Sequence, residues 1–180
     1  MFSAEFPGAL ASVAGLTLVG VGPGDPQLLT VAAVRAIRAA AVVAYPVARL
    51  EAEGMAAQIA APWIGPEQRR LPLLFPMVSE AEPRRQAWHA AAAALAAEVA
   101  AGQAVVLLCE GDASLYASAS YALLALAGRH PSCPVAVIPG IAAVAAAAAA
   151  ASSQGLPWPL ALQQDALLIR PTPDLSLIHI

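Results

Sequence analysis

Three short apolar runs in this chain stop on glycine-bearing turns, and that restricts its fold more than any other feature. They are LTLVGV at 16–21, running into Gly22–Pro23–Gly24–Asp25; AVVLLC at 104–109, running into Glu110–Gly111–Asp112; and VAVI at 135–138, running into Pro139–Gly140. Runs this short and this apolar have the length of strands covered on both faces, as in a parallel sheet. The stretches between them carry helix marks. Thr30 can cap a helix reaching about Ala40, with Val31, Val34 and Ile37 on one face and Arg35 and Arg38 on the other. Pro83 to Ala101 has proline near its first turn, an alanine-rich interior and Gly102 after its end. Helices are also expected at 52–61, 114–127 and 142–151. AVVAY at 41–45 is a further strand, stopped by Pro46, and another strand can begin at 166–169. LPLLFPM at 71–77 holds two prolines, so it is an edge strand or an extended loop. This alternation predicts an α/β protein with a largely parallel sheet. GRHPSCP at 128–134 has the composition of a linker. The expected organisation is a loose leader over 1–15, an N-terminal α/β domain over 16–130, and the start of a second α/β domain over 131–180.

The composition narrows the partners. Of 180 residues, 59 % are apolar, but many are alanine, so the core must be closely packed rather than bulky. The net charge of −3 argues against a general nucleic-acid binder. All the basic residues are arginine, and Arg69–Arg70 and Arg84–Arg85 are local clusters. Each is either a solvated face or a contact for an anionic ligand. Cys109 closes an apolar run and Cys133 lies between prolines, which suggests neither a disulfide framework nor a metal site. His89, His130 and His179 lack metal-ligand spacing. The N-terminus has no basic n-region, and the apolar run at 135–151 is short, alanine-rich and broken by Pro139–Gly140. These features predict a cytoplasmic protein that binds neither membrane nor nucleic acid and holds no metal.

The three turns carry the chemistry. Gly20, Gly22 and Gly24 make a partial dinucleotide fingerprint. That reading needs a helix opening on the third glycine and an acid closing the next strand. Asp25–Pro26 follows Gly24, and the next strand closes on Ala44–Tyr45–Pro46, so a nicotinamide-binding oxidoreductase is disfavoured. In the second turn, Gly111 lets the backbone approach a ligand, while Glu110 and Asp112 can accept from hydroxyls or attract a cation. Asp112 can alternatively cap the helix that follows. The third turn is followed only by small side chains, which either leave room for something flat or simply pack as an alanine helix.

Taken in order, VGVGPGDPQLLT, then CEGD with a tyrosine beyond it, then IPGI with a small-residue helix, resemble the tetrapyrrole (corrin/porphyrin) methylase family. The resemblance runs from about Leu16 to Pro173. AVVAYP at 41–46, FPM at 75–77 and VVLLCEGDASLYASASYALL at 105–124 resemble the members that methylate C20 of precorrin-2 in cobalamin biosynthesis. The resemblance implies two α/β domains, S-adenosylmethionine as methyl donor in the cleft between them, a tetrapyrrole substrate and a homodimer. It implies cofactor contacts at Pro23, Glu110, Gly111, Asp112, Leu115, Ala142 and Ala143. Arg69, Arg70, Arg84 and Arg85 then become candidate clamps for the many carboxylates of the substrate. No catalytic residue is singled out; Asp25 and Glu110 are candidate proton acceptors. Two other readings stay open: a relative acting on the cobalt-containing substrate, and a non-catalytic fragment.

The chain departs from the family pattern in places. Ala113 stands where the family usually has proline, Ser114–Leu115 where it often has an aromatic pair, and Ala142 and Ala143 where it often has hydroxyl residues. The chain is also shorter than family members, and LSLIHI at 175–180 does not resemble them, so a truncated second domain with a non-native tail is expected.

Overall fold

The computed structural model describes residues 15–156 and 159–170. The expected leader (apart from Gly15) and the tail at 175–180 lie outside them. β1 (Gly15–Gly20), β2 (Val42–Val47), β3 (Arg69–Leu74), β4 (Ala104–Cys109) and β5 (Val135–Ile138) form one sheet in the order β3-β2-β4-β1-β5. Every pairing is parallel. β1 and β4 register Leu16 with Val105 and Gly20 with Cys109, β2 and β4 register Val42 with Val105, and β2 and β3 register Val42 with Arg69. All carboxyl ends therefore point to one edge of the sheet.

Four helices cover the two faces. α1 (Val31–Ala39) and α2 (Met55–Ala60) lie on one, where Ile37, Ala57 and Ile59 pack with Val19, Val43 and Val106. α3 (Ala81–Ala100) and α4 (Ala119–Arg129) lie on the other, where Leu95 and Leu126 pack with Leu16, Leu18 and Leu107. Trp88 of α3 stacks on Tyr121 of α4 with ring centroids 4.3 Å apart. Successive residues of β1 and β4 enter the two clusters in turn, so these strands are buried almost continuously, as a sheet covered on both faces requires. Thr30 caps α1 as expected, its hydroxyl oxygen accepting from the Ala33 N–H at 3.1 Å.

Gln68 is a buried polar residue that the apolar patterning did not reveal. Its amide donates to the carbonyls of Ile37 and Ala40 at 2.6 Å each, and its oxygen accepts from the Gly65 N–H at 2.8 Å. It closes the carboxyl end of α1, where carbonyls otherwise lack partners.

Several boundaries differ from the sequence expectation. Pro46 lies inside β2 rather than stopping it, and β3 begins at Arg69, two residues before 71, as an edge strand holding Pro72. An edge position tolerates the missing N–H. α4 begins at Ala119, not Ser114, because Asp112 closes a turn on Ser114 and Tyr116 takes a left-handed φ of +54°, which a helix cannot accommodate. No strand forms at 166–169. β5, assigned by sequence to a second domain, is a strand of this sheet, paired to β1 from Leu16–Val135 to Val19–Ile138.

The chain falls into two compact units, one up to Ala142 and one from Ala143. In the second, α5 (Ala143–Ser152) is nearly all alanine and ends where Ser152 and Ser153 hydroxyls donate back to the carbonyls of Ala149 and Ala150. Gly155, at φ +73°, follows.

Candidate functional site

β1 and β4 are neighbours whose connections leave on opposite faces: β1 passes through α1, β4 through α4. Their carboxyl ends form a switch point, the place where open α/β sheets bind ligands. The glycine turns meet there. The Gly22 N–H donates to the Gly111 carbonyl at 3.1 Å, and the Gly111 N–H donates back to the Gly22 carbonyl at 2.8 Å. Gly22 and Gly111 stand at φ +77° and +65°, a region costly for any side chain-bearing residue.

The third turn joins them through backbone contact. A Cβ on Gly140 would stand 2.1 Å from the Gly111 carbonyl oxygen and 2.8 Å from the Gly20 carbonyl carbon. Only glycine permits this approach. Asp112 ties the same two turns: its Oδ2 accepts from the Gly140 N–H at 2.8 Å, while its Oδ1 accepts from the Ser114 N–H at 2.9 Å and from the Ser114 hydroxyl. The bond from the Ser114 hydroxyl, with the Ser114, Gly140 and Ala113 amides, holds the Asp112 carboxyl below its ordinary range. Asp112 therefore does not cap α4.

Beside this junction, a recess of about 130 Å³ is lined by Pro46, Ala56, Cys109, Glu110 and Tyr116 to Ser118. Glu110 is solvent-exposed. Cys109 is buried, and burial with the charges of Asp112 and Glu110 pushes its thiol up to about 12, so it is no nucleophile at neutral pH. Gly54 packs directly against the end of β2: a Cβ there would meet the Pro46 carbonyl oxygen and a Tyr45 ring carbon, both at 2.6 Å.

Of the residues expected at a site, Glu110, Gly111, Asp112 and Leu115 lie on the β4 turn, Pro23 on the β1 turn, and Ala142 just after the β5 turn, all at the carboxyl edge. Ala143 opens α5 in the other unit. Asp25 caps a 3-10 turn over Pro26–Leu28 through the Gln27 N–H at 2.8 Å. The four arginines divide. Arg69 and Arg70 open β3 at the amino edge of the sheet, roughly 17 Å of strand from the β4 turn at about 3.3 Å per residue. Arg69 is paired there with Glu98. Arg84 and Arg85 lie in the first turns of α3, which starts from the carboxyl edge; Arg85 pairs with Glu82. The two candidate pairs therefore lie at opposite edges of the sheet, because parallel strands send their two ends to opposite edges. Sequence reasoning missed Pro46 and Ala56 as recess residues and Gly54 behind Pro46; only the glycine offered a local signal.

Among the described residues, no helix is long and apolar enough to cross a membrane. The profile of the family described as Tetrapyrrole (Corrin/Porphyrin) Methylases matches residues 15–176. A precorrin-2 C(20)-methyltransferase from Sinorhizobium sp is 38% identical over 85% of this chain, and a cobalt-precorrin-2 C(20)-methyltransferase from Salmonella typhimurium is 30% identical over 86%. The chain spans 62% of the length of each of these curated relatives. Among solved structures, a cobalt precorrin-4 methyltransferase aligns at a TM-score of 0.56 with 25% identity, over 80% of this chain and 53% of its own. A uroporphyrin-III C-methyl transferase from Thermus thermophilus, complexed with S-adenyl homocysteine, aligns at 0.51 with 26% identity, over 74% of this chain and 47% of its own.

Proposed function

The chain belongs to the tetrapyrrole (corrin/porphyrin) methylase family, and from that premise we propose that it takes part in S-adenosylmethionine-dependent methylation of C20 of precorrin-2 in cobalamin biosynthesis. The observation that carries this reading is the junction of Gly22, Gly111 and Gly140 at the switch point, next to the exposed Glu110. The relative at 38% identity, named for that reaction, supports the choice of substrate. The reading also carries a cytoplasmic homodimer, the family's usual state.

The residues present suit the cofactor. Backbone turns stripped of side chains admit close approach, and Glu110 can accept from hydroxyl or ammonium donors. The recess of about 130 Å³ is smaller than the roughly 300–1,000 Å³ of whole-ligand pockets, so it takes a portion only. Pro23, Glu110, Gly111, Asp112, Leu115, Ala142 and Ala143 are the proposed contacts, Asp112 and the two alanines through backbone groups. When bound, S-adenosylmethionine supplies a methyl group on a good leaving group. The protein's part is to hold donor and acceptor in line and exclude water. A carboxylate that takes the displaced proton assists. Glu110, which lines the recess, is better placed for that than Asp25, whose oxygen caps a turn.

The test is a calorimetric titration with S-adenosylhomocysteine, followed by a methyl-transfer assay on precorrin-2. Binding and a mass gain of one methyl group support the reading; binding of neither compound by the chain overturns it. The Salmonella relative favours a second substrate, the cobalt-loaded form, and a rate comparison between the two substrates decides between them.

A further inference from the structure

Asp112 is the residue at the junction whose carboxylate already has its hands full. One oxygen accepts within its own turn, from Ser114; the other reaches 28 positions along the chain to the Gly140 N–H. Gly140 lies two residues past the end of β5, where the ladder with β1 has stopped at Ile138. Its N–H would otherwise have no strand partner, and an orphan amide beside packed backbone is costly. Gly20, Gly111 and Gly140 touch only through backbone atoms, with a Cβ on Gly20 coming within 2.6 Å of the Gly140 nitrogen. The charged bond from Asp112 joins the two turns across this contact.

We propose that Asp112 is a positioning residue: through the Gly140 amide it locks the β5 turn onto the β4 turn, so that main-chain groups of both are presented to the cofactor, and its carboxylate is not itself a cofactor ligand. This rests on the methyltransferase reading for its ligand, but the lock is a property of the free protein. Asparagine cannot replace the carboxylate. It offers a single acceptor oxygen, which its own turn claims for the Ser114 N–H as in any Asx turn, so its N–H₂ is turned toward the Gly140 donor.

The experiment compares wild type, Asp112→Asn and Ser114→Ala by backbone-amide hydrogen exchange in the ligand-free protein and by S-adenosylhomocysteine titration. In Asp112→Asn, exchange at Gly140 rises and the affinity falls, each roughly tenfold or more, the factor expected for losing a hydrogen bond to a charged group. Ser114→Ala, which leaves the Gly140 arm in place, changes both by less than roughly threefold. A carboxylate that binds the cofactor directly would weaken affinity in Asp112→Asn with Gly140 exchange unaltered, and that result overturns the proposal. So does an Asp112→Asn protein with wild-type values of both. Should Asp112→Asn fail to fold, the wild-type protein still reports. The Gly140 amide resonance follows the Asp112 carboxyl as pH falls through its lowered pKa if the bond exists, and fails to titrate there if it does not. Failure of the methyltransferase reading is distinguishable, because wild type then binds no S-adenosylhomocysteine while Gly140 exchange still answers for the lock.

Discussion

The backbones of Gly20 and Gly140 meet without an intervening side chain: a Cβ on Gly20 would stand 2.6 Å from the Gly140 nitrogen and 2.8 Å from the Gly140 Cα. The obstacles are main chain from two strand ends, so no rotamer change relieves the clash. Gly20→Ala and Gly140→Ala are each expected to cost about 1–3 kcal/mol or more. Gly128, within α4, has open space where its Cβ would go, and Gly128→Ala is expected to stabilise by about 0.4–1 kcal/mol. Urea denaturation of the three variants checks both signs, and a stabilising Gly20→Ala would contradict the packing described.

Gln68 satisfies three backbone groups from a buried position. Gln68→Leu keeps the volume but leaves the Ala40 carbonyl and the Gly65 N–H without this partner, and the Ile37 carbonyl with only the Ala40 N–H at 3.3 Å. A loss of roughly 2–3 kcal/mol is expected, measured by thermal or chemical unfolding. Gln68→Glu tests the polarity: a carboxylate facing two carbonyls repels them, so it should be at least as damaging.

Cys109 predicts an alkaline sensitivity. Its folded pKa is pushed up to about 12 by burial and by the Asp112 and Glu110 charges, above the ordinary thiol value of 9.0. The stability this difference carries is complete below the unfolded pKa and is lost as pH rises from there toward 12, because the unfolded chain releases its proton first. Cys109→Val should flatten that part of the stability profile. At pH 8, alkylation of Cys109 in the folded protein should be far slower than in urea.

The arginine pairs give opposite expectations. Arg84→Ala with Arg85→Ala, at the carboxyl edge, is expected to raise KM for the tetrapyrrole roughly tenfold while leaving kcat near wild type, as loss of uniform carboxylate binding does. Arg69→Ala with Arg70→Ala, at the amino edge, should leave both constants unchanged. Steady-state kinetics on the two double variants is the measurement, and a KM effect from the Arg69–Arg70 pair would place substrate at the wrong end of the sheet.

What the sequence determined by itself was local. Apolar runs of strand length, the Thr30 cap and the glycine-rich turns depend on neighbouring residues, so β1, β2, β4, β5 and α1 were legible within a residue or two. The start of α4 was not, because Ser114 is claimed by Asp112 and not by a helix. Tertiary structure decided the rest. The order β3-β2-β4-β1-β5 brings together turns that are far apart in the chain, and the common strand direction sends Arg69 and Glu110 to opposite edges. The glycines at 20, 111 and 140 each read as a turn in isolation. Only their convergence shows that the missing side chains of Gly20 and Gly140 make room for each other and for the Gly111 carbonyl, and that Asp112 spans the junction, since a contact between distant residues has no local signal in the residues that make it.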